Sequence, residues 1–287
     1  MNTPPVSHWR RHLTPEQATE QVGERVPDLD ANVTEAVIVA DATTGQPAFA
    51  YLPIGNVADL RRTVLDIPYA TNTRAAGWQN SSRTFGYAPR RPVYGREGCE
   101  NTRLWDERPD LHTTLLQYGE RVRHQLHTIF PDVAERDAQT MANSDVKDEW
   151  RLGETNWTSG VVNRSSSLPY HRDGFNFPVW TAMPVLRRHM RGGYLHIPEY
   201  NAVVASRDGW AVFFPGYELV HGVTPMTPTR EGGYRYSVVY YALKGMKDCF
   251  THAVEQDYAL KKRTEREQAM AAELAQRINE PTTQPHR

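Results

Sequence analysis

The spacing of hydrophobic and polar positions changes near residue 158, and before that point the chain looks helical and irregular. In RPDLHTTLLQYGERVRHQLHTIFP, apolar residues recur at the spacing of one helix face: Leu111, Leu115, Val122, Leu126 and Ile129. Pro131 ends this predicted helix, and a second one is expected over 132–142. Thr14, followed by Pro15 and Glu16, is typical of a helix start, with a cap residue and then a proline in the first turn.

Two further elements precede a long stretch without regular spacing. Apolar runs on either side of a Thr-Gly turn predict a β-hairpin over 36–54, and NVADLRRTVLDI has helical spacing after an asparagine cap. Residues 67–107 are rich in Gly, Pro, Asn and Arg and are expected to be irregular. Because loops of that length are usually functional or mobile, this segment is a candidate for a binding role.

Short β-rich runs dominate the chain from residue 158 onward, separated by Gly, Pro and Asn. They include SGVVN, VWTAMPVL, NAVVAS, GWAVFFPG and YRYSVVYYAL, at the spacing expected of a sandwich or barrel. The segment from Glu255 is helical and charged. The pattern therefore predicts one α+β domain, with a helical and irregular N-terminal half (1–155), a β-rich core (156–250) and a C-terminal helix and tail (251–287).

Composition and net charge narrow the class of protein only a little. Of the 287 residues, 39% are hydrophobic and 23% are charged, and the formal net charge is −1. A net charge near zero argues mildly against non-specific binding to nucleic acid, because such binding usually needs a positively charged surface. No apolar run approaches a membrane span and no secretory signal is visible. Cys99 and Cys249 are expected to be buried free thiols in a reducing cytoplasm rather than a disulfide.

The charge is nevertheless uneven along the chain. The stretch 73–103 holds six arginines, two glutamates and several aromatic residues. A solvated loop is the plainer interpretation of this composition. Arginine interleaved with aromatic rings also suits phosphates and unstacked bases, which keeps a nucleic-acid contact open.

Candidate metal chemistry lies in SLPYHRDGFNFP, residues 167–178. Residues two apart in an extended segment point the same way, so His171 and Asp173 could hold one metal ion together. His221, in the later run LVHGVTP, is the expected third ligand. Two histidines and one carboxylate form the facial triad of non-haem Fe(II) oxygenases, which leaves positions open for a co-substrate and O2. A structural zinc site would need a fourth protein ligand, and no cysteine lies nearby.

The run YRYSVVYYAL predicts an anion site beside that metal. Alternation places Arg235, Ser237 and Tyr241 on one face of a strand. A buried guanidinium is costly unless it meets an anion, and with a hydroxyl two residues away it can seat the distal carboxylate of 2-oxoglutarate. Tyr241 can offer its ring to a substrate. His196, in LHIPEY, is assigned a co-substrate contact, although a satisfied core histidine is the plainer interpretation.

Four motifs, HRDGFN, LHIPEY, HGVTPMTP and RYSVVYY, resemble those of the ten-eleven-translocation 5-methylcytosine dioxygenases and the related J-binding-protein thymine hydroxylases, including phage and bacterial members. The resemblance covers roughly 156–245 and implies a double-stranded β-helix (jelly-roll, cupin-like) core flanked by N-terminal helices. The roles that it implies are Fe(II) ligation by His171, Asp173 and His221, 2-oxoglutarate binding by Arg235, Ser237 and His196, and base contact by Asn176 and Tyr241.

The activity that this resemblance implies is hydroxylation of the 5-methyl group of 5-methylcytosine in DNA, with Fe(II), 2-oxoglutarate and O2, in the cytoplasm of a bacterial or phage-infected cell. The base would be flipped out of the duplex, and Asn176 favours cytosine because an amide suits the amino-bearing edge. Thymine in DNA, a small molecule such as a free nucleoside, and a catalytically inactive DNA-binding module stay open. Leu243 stands where the animal enzymes place a base-contacting histidine, and their Cys-rich zinc region is absent. The DNA contact must therefore come from another element, and segment 73–103 is the candidate.

Overall fold

The structure, a computed structural model, describes residues 4–73 and 79–279. Its α-helices are α1 (Pro15–Thr19), α2 (Ala58–Asp66), α3 (Arg103–Glu107), α4 (Pro109–Ile129), α5 (Pro131–Ala142) and α6 (His252–Asn279). Its strands are β1 (Val6–Trp9), β2 (Val37–Asp41), β3 (Pro47–Pro53), β4 (Ala70–Thr73), β5 (Gln79–Ala88), β6 (Glu100–Asn101), β7 (Ser159–Arg164), β8 (Leu168–His171), β9 (Thr181–Arg188), β10 (Met190–Gly192), β11 (Leu195–Ile197), β12 (Ala202–Val204), β13 (Trp210–Phe214), β14 (His221–Val223), β15 (Met226–Pro228) and β16 (Tyr234–Tyr241).

The predicted helices and the predicted hairpin are confirmed. Helix α1 begins with a capping box, in which the Thr14 hydroxyl accepts from Gln17 N at 3.3 Å and the Gln17 side chain accepts from Thr14 N at 2.9 Å. The N-cap of α2 is Val57 rather than the predicted Asn56, whose side chain nevertheless accepts a hydrogen bond from Ala58 N in the first turn. The apolar face predicted for α4 is buried, apart from the partly buried Ile129.

Two sheets face each other and form the β-rich core. The larger, ten-stranded sheet has the order β1-β2-β3-β13-β9-β16-β7-β5-β4, with β6 pairing with β5, and the smaller has the order β12-β11-β14-β8. Apolar side chains of both sheets meet between them, among them Met183, Val185 and Val212 from the larger and Leu195, Ile197 and Val223 from the smaller. This is the sandwich that the spacing of the β-runs predicts.

The N-terminal half contributes more strands than its hydrophobic pattern predicts. The segment 67–107, expected to be irregular, contains β4, β5, β6 and α3, so that expectation is wrong. Strand β5 is mostly polar and shows no clear alternation; it pairs along its length with β7, with Arg83 opposite Val162. Strand β5 therefore forms because it pairs with the distant β7, and not because its own hydrophobic residues alternate.

Helix α4 covers the outer face of the larger sheet. Its apolar residues join Phe85, Ala182 and Tyr240 in one core cluster. The Tyr240 hydroxyl donates to the carbonyl of Leu115 at 2.8 Å. Gly119 makes this approach possible, since a Cβ there would lie 2.8 Å from the Tyr240 ring. Tyr240 lies on the face of β16 that packs against α4, and the opposite face of β16 is directed into the space between the two sheets.

Cys99 and Cys249 form a disulfide, so the expectation of two free thiols is wrong. They are 150 positions apart in the chain, yet their Cα atoms lie 5.8 Å apart. The buried carboxylate of Glu255 holds the two segments together by accepting from Cys99 N and Phe250 N. The argument for a reducing compartment, which depended on free thiols, loses this support. In the described part of the chain, no helix has both the length and the apolar character needed to cross a bilayer.

Candidate active site

The three expected metal ligands meet at the end of the smaller sheet. Strands β8 and β14 pair antiparallel with His221 directly opposite His171, and the two ring centroids are 4.4 Å apart. Asp173 follows β8 by two residues and brings its carboxylate between the rings. Its oxygens lie 3.9 Å from His171 Nε2 and 4.0 Å from His221 Nε2. The three residues offer ligand atoms that all lie within 4.8 Å of one another.

Both imidazoles are oriented for metal binding by backbone carbonyls. His171 Nδ1 lies 2.8 Å from the Pro169 carbonyl, and His221 Nδ1 lies 2.9 Å from the Leu219 carbonyl. A carbonyl only accepts, so each Nδ1 carries a proton, and in the neutral ring Nε2 then presents its lone pair toward Asp173. Burial lowers the pKa of His221 to about 4, which keeps this ring neutral at physiological pH. Two imidazoles and one carboxylate fit a divalent cation.

Arg235 lies fully buried and is under-satisfied. Its Nη1 donates to Ser237 Oγ at 3.3 Å, while among the described residues its Nε and Nη2 find no hydrogen-bond partner. Burial, with a smaller contribution from Arg187, lowers the pKa of Arg235 to about 9. Gly193 makes room for the side chain, because a Cβ there would lie 2.7 Å from Arg235 Cδ. Such a guanidinium suits an anion that enters from outside the fold.

The neighbouring Arg187 shows what a satisfied buried arginine looks like in this fold. It is the cross-strand partner of Arg235. Its guanidinium donates to four backbone carbonyls, those of Ala205, Ser206, Met190 and Gly192. Arg187 is therefore structural, and Arg235 is the cation of this pair that has donors left for a ligand.

One cavity of about 410 Å3 joins most of the predicted site residues. Those that line it are His171, Asp173, His221, Ser237, Asn176 and Tyr241. Arg235 is not among the lining residues and lies behind Ser237, to which its Nη1 donates. Asn176 is buried at its wall, and its backbone is fixed by a hydrogen bond from Asn176 N to Asp173 O at 2.9 Å and by a β-bridge to Leu243. The structure thus brings six of the eight predicted residues to one cavity and places Arg235 next to one of them, Ser237.

His196 is the exception, and its assignment to the co-substrate is corrected. Leu195 lines the cavity, and the next residue on the strand points to the other face of the smaller sheet. There His196 Nδ1 lies 2.6 Å from the Tyr170 hydroxyl, beside an apolar cluster that includes Val26. Burial lowers the pKa of His196 to about 4, so it is a neutral core histidine.

The cavity also contains residues that sequence reasoning missed. Asn163 lies directly opposite Ser237 on β7 and lines the wall. The alternation of SGVVN could have placed it there. Phe175 and Arg91 stand at the opening, with the Arg91 guanidinium 6.0 Å from the ring centroid. Nothing in the chain's periodicity marks these two as neighbours, since they come from distant segments.

The Arg-rich segment runs along the outside of the cavity. Two grooves continue from Tyr241, and they share Thr84, Arg96, Thr102 and Tyr241. The basic residues that line them are Arg83, Arg90, Arg91, Arg96, Arg103 and Lys244, against the acidic Glu100 and Asp248. Some of this charge is already paired, since Arg83 contacts Glu107, Arg90 contacts Glu255 and Arg96 contacts Glu100. Arg74, also part of the predicted segment, lies outside the described residues.

Comparison with known proteins bears on the fold. No protein-family model and no curated protein matches the chain. Among solved structures, NgTET1 in complex with 5mC DNA is similar with a TM-score of 0.53 and 16% identity, over 82% of this chain and 93% of that one. A 2OG-Fe(II) oxygenase family oxidoreductase from Burkholderia pseudomallei has a TM-score of 0.42 and 16% identity, over 84% of this chain and 96% of that one. OsALKBH1 has a TM-score of 0.41 and 14% identity, over 68% and 98%. The first of these similarities, with the two facing sheets, confirms the predicted α+β fold with a double-stranded β-helix core.

Proposed function

We propose that this protein is a dioxygenase that depends on Fe(II) and 2-oxoglutarate. One observation carries the proposal: His171, Asp173 and His221 converge in a cavity beside the buried, under-satisfied guanidinium of Arg235. The ligand set is the one that ferrous oxygenases use, and it leaves coordination positions open. When bound, iron and 2-oxoglutarate supply the activation of O2 that hydroxylates a C–H bond.

The chain's own residues orient the reactants. Arg235 and Ser237 would bind the distal carboxylate of 2-oxoglutarate, which provides the guanidinium with the charge-assisted hydrogen bonds that it lacks. Apolar side chains of both sheets line the rest of the cavity and limit the access of water; they include Met183, Leu195, Phe214, Val223 and Val239. No side chain has to transfer a proton in this scheme.

The proposed substrate is 5-methylcytosine in DNA. Asn176 lies in the cavity wall, where its amide can pair with the amino-bearing edge of a base, and Tyr241 stands at the opening, where its ring can stack on one. NgTET1, which shares the fold, was solved with 5mC DNA, and this supports the same class of substrate here. Thymine in DNA is the closest alternative, because it carries a methyl group at the same ring position.

The grooves beside Tyr241 are the proposed path of the DNA backbone. They extend the cavity outward and are lined by more basic than acidic residues. Phosphate contacts of this kind position nucleic acid without specifying its sequence. The local excess of basic residues also reconciles a DNA substrate with the formal net charge of −1.

The decisive experiment is mass spectrometry of nucleosides from methylated and unmethylated DNA after incubation with iron, 2-oxoglutarate and air. We expect 5-hydroxymethylcytosine from the methylated DNA, with succinate formed in step. Asp173→Ala should abolish both products and iron binding together, because a triad without its carboxylate loses one of three ligands.

Other outcomes identify the alternatives. Oxidised thymine would identify thymine as the substrate base. Succinate formation stimulated by free nucleoside but not by DNA would indicate a small-molecule hydroxylase. A protein that binds methylated DNA but gives no succinate under any condition, and shows no ultraviolet charge-transfer band in an anaerobic iron titration, would be an inactive DNA-binding module. That last result would refute the proposed enzyme.

A further inference from the structure

We propose that the ring of Phe175 inserts into the base stack of duplex DNA and occupies the space that the target base leaves. This inference rests on the proposed function, since it concerns how a paired base reaches the cavity. Phe175 lies between the metal ligand Asp173 and the proposed base contact Asn176. Its side chain is 76% exposed and borders both the cavity and the neighbouring groove.

The turn that carries Phe175 is fixed by hydrogen bonds at both ends. Asp173 N donates to Gly216 O and Asn176 N donates to Asp173 O, each at 2.9 Å. Lys244 N donates to the Phe175 carbonyl at 2.9 Å. The ring is therefore exposed on a rigid support. A side chain held in this way is ordered before binding, which lowers the entropic cost of inserting it into a partner.

The exposure of this ring distinguishes it from the other exposed phenylalanine among the described residues. Phe250 is 42% exposed, but Arg90 and Tyr258 cover its ring, at 4.5 Å and 5.5 Å respectively. Among the described residues, the recorded neighbour of the Phe175 ring is the Arg91 guanidinium, at 6.0 Å from its centroid. An exposed ring at the border of the cavity and the groove can contact a molecule that occupies both.

The chemistry around the ring identifies duplex DNA as the partner. An aromatic ring stacks on any base, and a guanidinium beside it can contact the adjacent phosphate. Lys244 adds a second cation next to the same turn, where its Nζ donates to Gly174 O at 3.1 Å. Phe175 and Asn176 are adjacent in the chain, so one rigid turn would carry both functions. Asn176 would contact the flipped base, and Phe175 would fill the gap that this base leaves in the stack.

The test compares wild type with Phe175→Ala, Phe175→Trp and, as a control, Leu65→Ala, which removes an exposed apolar side chain from α2. The first measurement uses the iron and 2-oxoglutarate complex without oxygen, on a duplex with 2-aminopurine next to 5-methylcytosine. Binding by wild type should raise the fluorescence of 2-aminopurine because its neighbours unstack. Phe175→Ala should lose most of this rise at saturating protein, while Phe175→Trp and Leu65→Ala retain it.

The second measurement is kcat/KM on two duplexes that differ only opposite the target, where one has guanine and the other an abasic site. Phe175→Ala should lose about tenfold on the paired target and less than about twofold on the unpaired one, since an unpaired base costs less to flip. Equal losses on both targets, or an unchanged fluorescence rise, would overturn the role of Phe175. If wild type oxidises neither target, the proposed function fails, and the fluorescence alone decides whether Phe175 enters the stack.

Discussion

Arg235 is the residue on which the proposed co-substrate site depends most. Its burial lowers the affinity of the guanidinium for its proton, and Ser237 satisfies only one of its donors. An anion in contact with it would recover hydrogen bonds to a charged group, each of which contributes about 1.5–3 kcal/mol. The buried guanidinium of Arg235 therefore destabilises the protein without a bound anion and stabilises the complex with 2-oxoglutarate.

Arg235→Ala should therefore raise the KM for 2-oxoglutarate by about tenfold to a hundredfold. Iron affinity should stay unchanged, because Arg235 is not among the grouped metal-binding residues. Succinate release at varied 2-oxoglutarate measures the first quantity, and an anaerobic iron titration measures the second. Arg191→Ala, which removes an arginine that is 70% exposed, is the matched control. An unchanged KM in the Arg235 variant would exclude this residue from the co-substrate site.

Side-chain alternation located most of the site from sequence but failed for His196. In β16 the alternation is unambiguous, since Tyr236, Val238 and Tyr240 enter the core behind the sheet while Ser237 and Tyr241 face the cavity. In β11 the same rule says only that neighbouring residues on the strand face opposite ways. It does not say which face looks into the cavity, because both faces of that short strand are buried.

At the scale of whole elements, the errors come from contacts between distant segments. Strand β5 owes its form to β7, and the disulfide joins residues that are 150 positions apart. Neither relation leaves a periodic signal in the sequence. Helices α4 and α5 could be predicted because their apolar spacing and the terminal prolines are local features.

Helix α5 is attached to the start of β9 through a carboxyl group whose protonation controls stability. Asp137 Oδ2 accepts from Trp180 N at 2.8 Å, and Oδ1 has no partner among the described residues. Burial raises the pKa of Asp137 from 3.8 to about 7. Between these two values the folded protein holds a proton that the unfolded chain has lost, so stability falls as the pH rises through this window and levels off above it.

The Asp137→Asn variant should remove this dependence on pH, because an amide does not titrate. From pH 5 to pH 7 the free energy of unfolding of wild type should fall relative to that of the variant by about 2 kcal/mol, at up to about 1.4 kcal/mol for each pH unit. Urea unfolding of both proteins at several pH values measures the difference. A constant difference across this range would mean that Asp137 is ionised in the folded protein.

Helix α6 is attached to the Arg-rich segment through Glu255. This carboxylate is 1% exposed and accepts from Arg90, Cys99 N and Phe250 N. Glu255→Ala would leave Cys99 N and Phe250 N without their acceptor and Arg90 with only the Asp248 carbonyl, and we expect a loss of about 3–5 kcal/mol in unfolding free energy.

Hydrogen exchange should show where that stability is lost. In Glu255→Ala, amides of residues 89–101 should exchange faster, although the disulfide still joins Cys99 to Cys249. Glu267→Ala removes an exposed partner of Arg263 on the same helix and should change neither stability nor exchange appreciably. Equal behaviour of the two variants would mean that Glu255 does not hold the segment.

At the scale of the whole molecule, the distribution of charge matters more than its sum. The net charge of −1 gives no general attraction to DNA, so the electrostatic part of binding must come from the grooves beside the cavity. Within them Arg83, Arg90 and Arg96 already contact glutamates. Arg91 and Arg103 are exposed at the groove walls, where a phosphate can reach them, and this exposure makes them candidates for phosphate contacts.

The dependence of DNA affinity on salt tests this assignment. Each phosphate contact contributes about 0.9 to the slope of log K against log salt for duplex DNA. Arg91→Ala and Arg103→Ala should each lower the slope by about that amount, equally for methylated and unmethylated DNA, because phosphates carry no information about the base. Fluorescence anisotropy between 50 and 200 mM salt, about the range over which such contacts are screened, measures it. Arg121→Ala, on the helix behind the larger sheet, is the control and should leave the slope unchanged. If the groove variants keep the wild-type slope, the DNA backbone follows another surface, and the cavity would have to be reached from a different side.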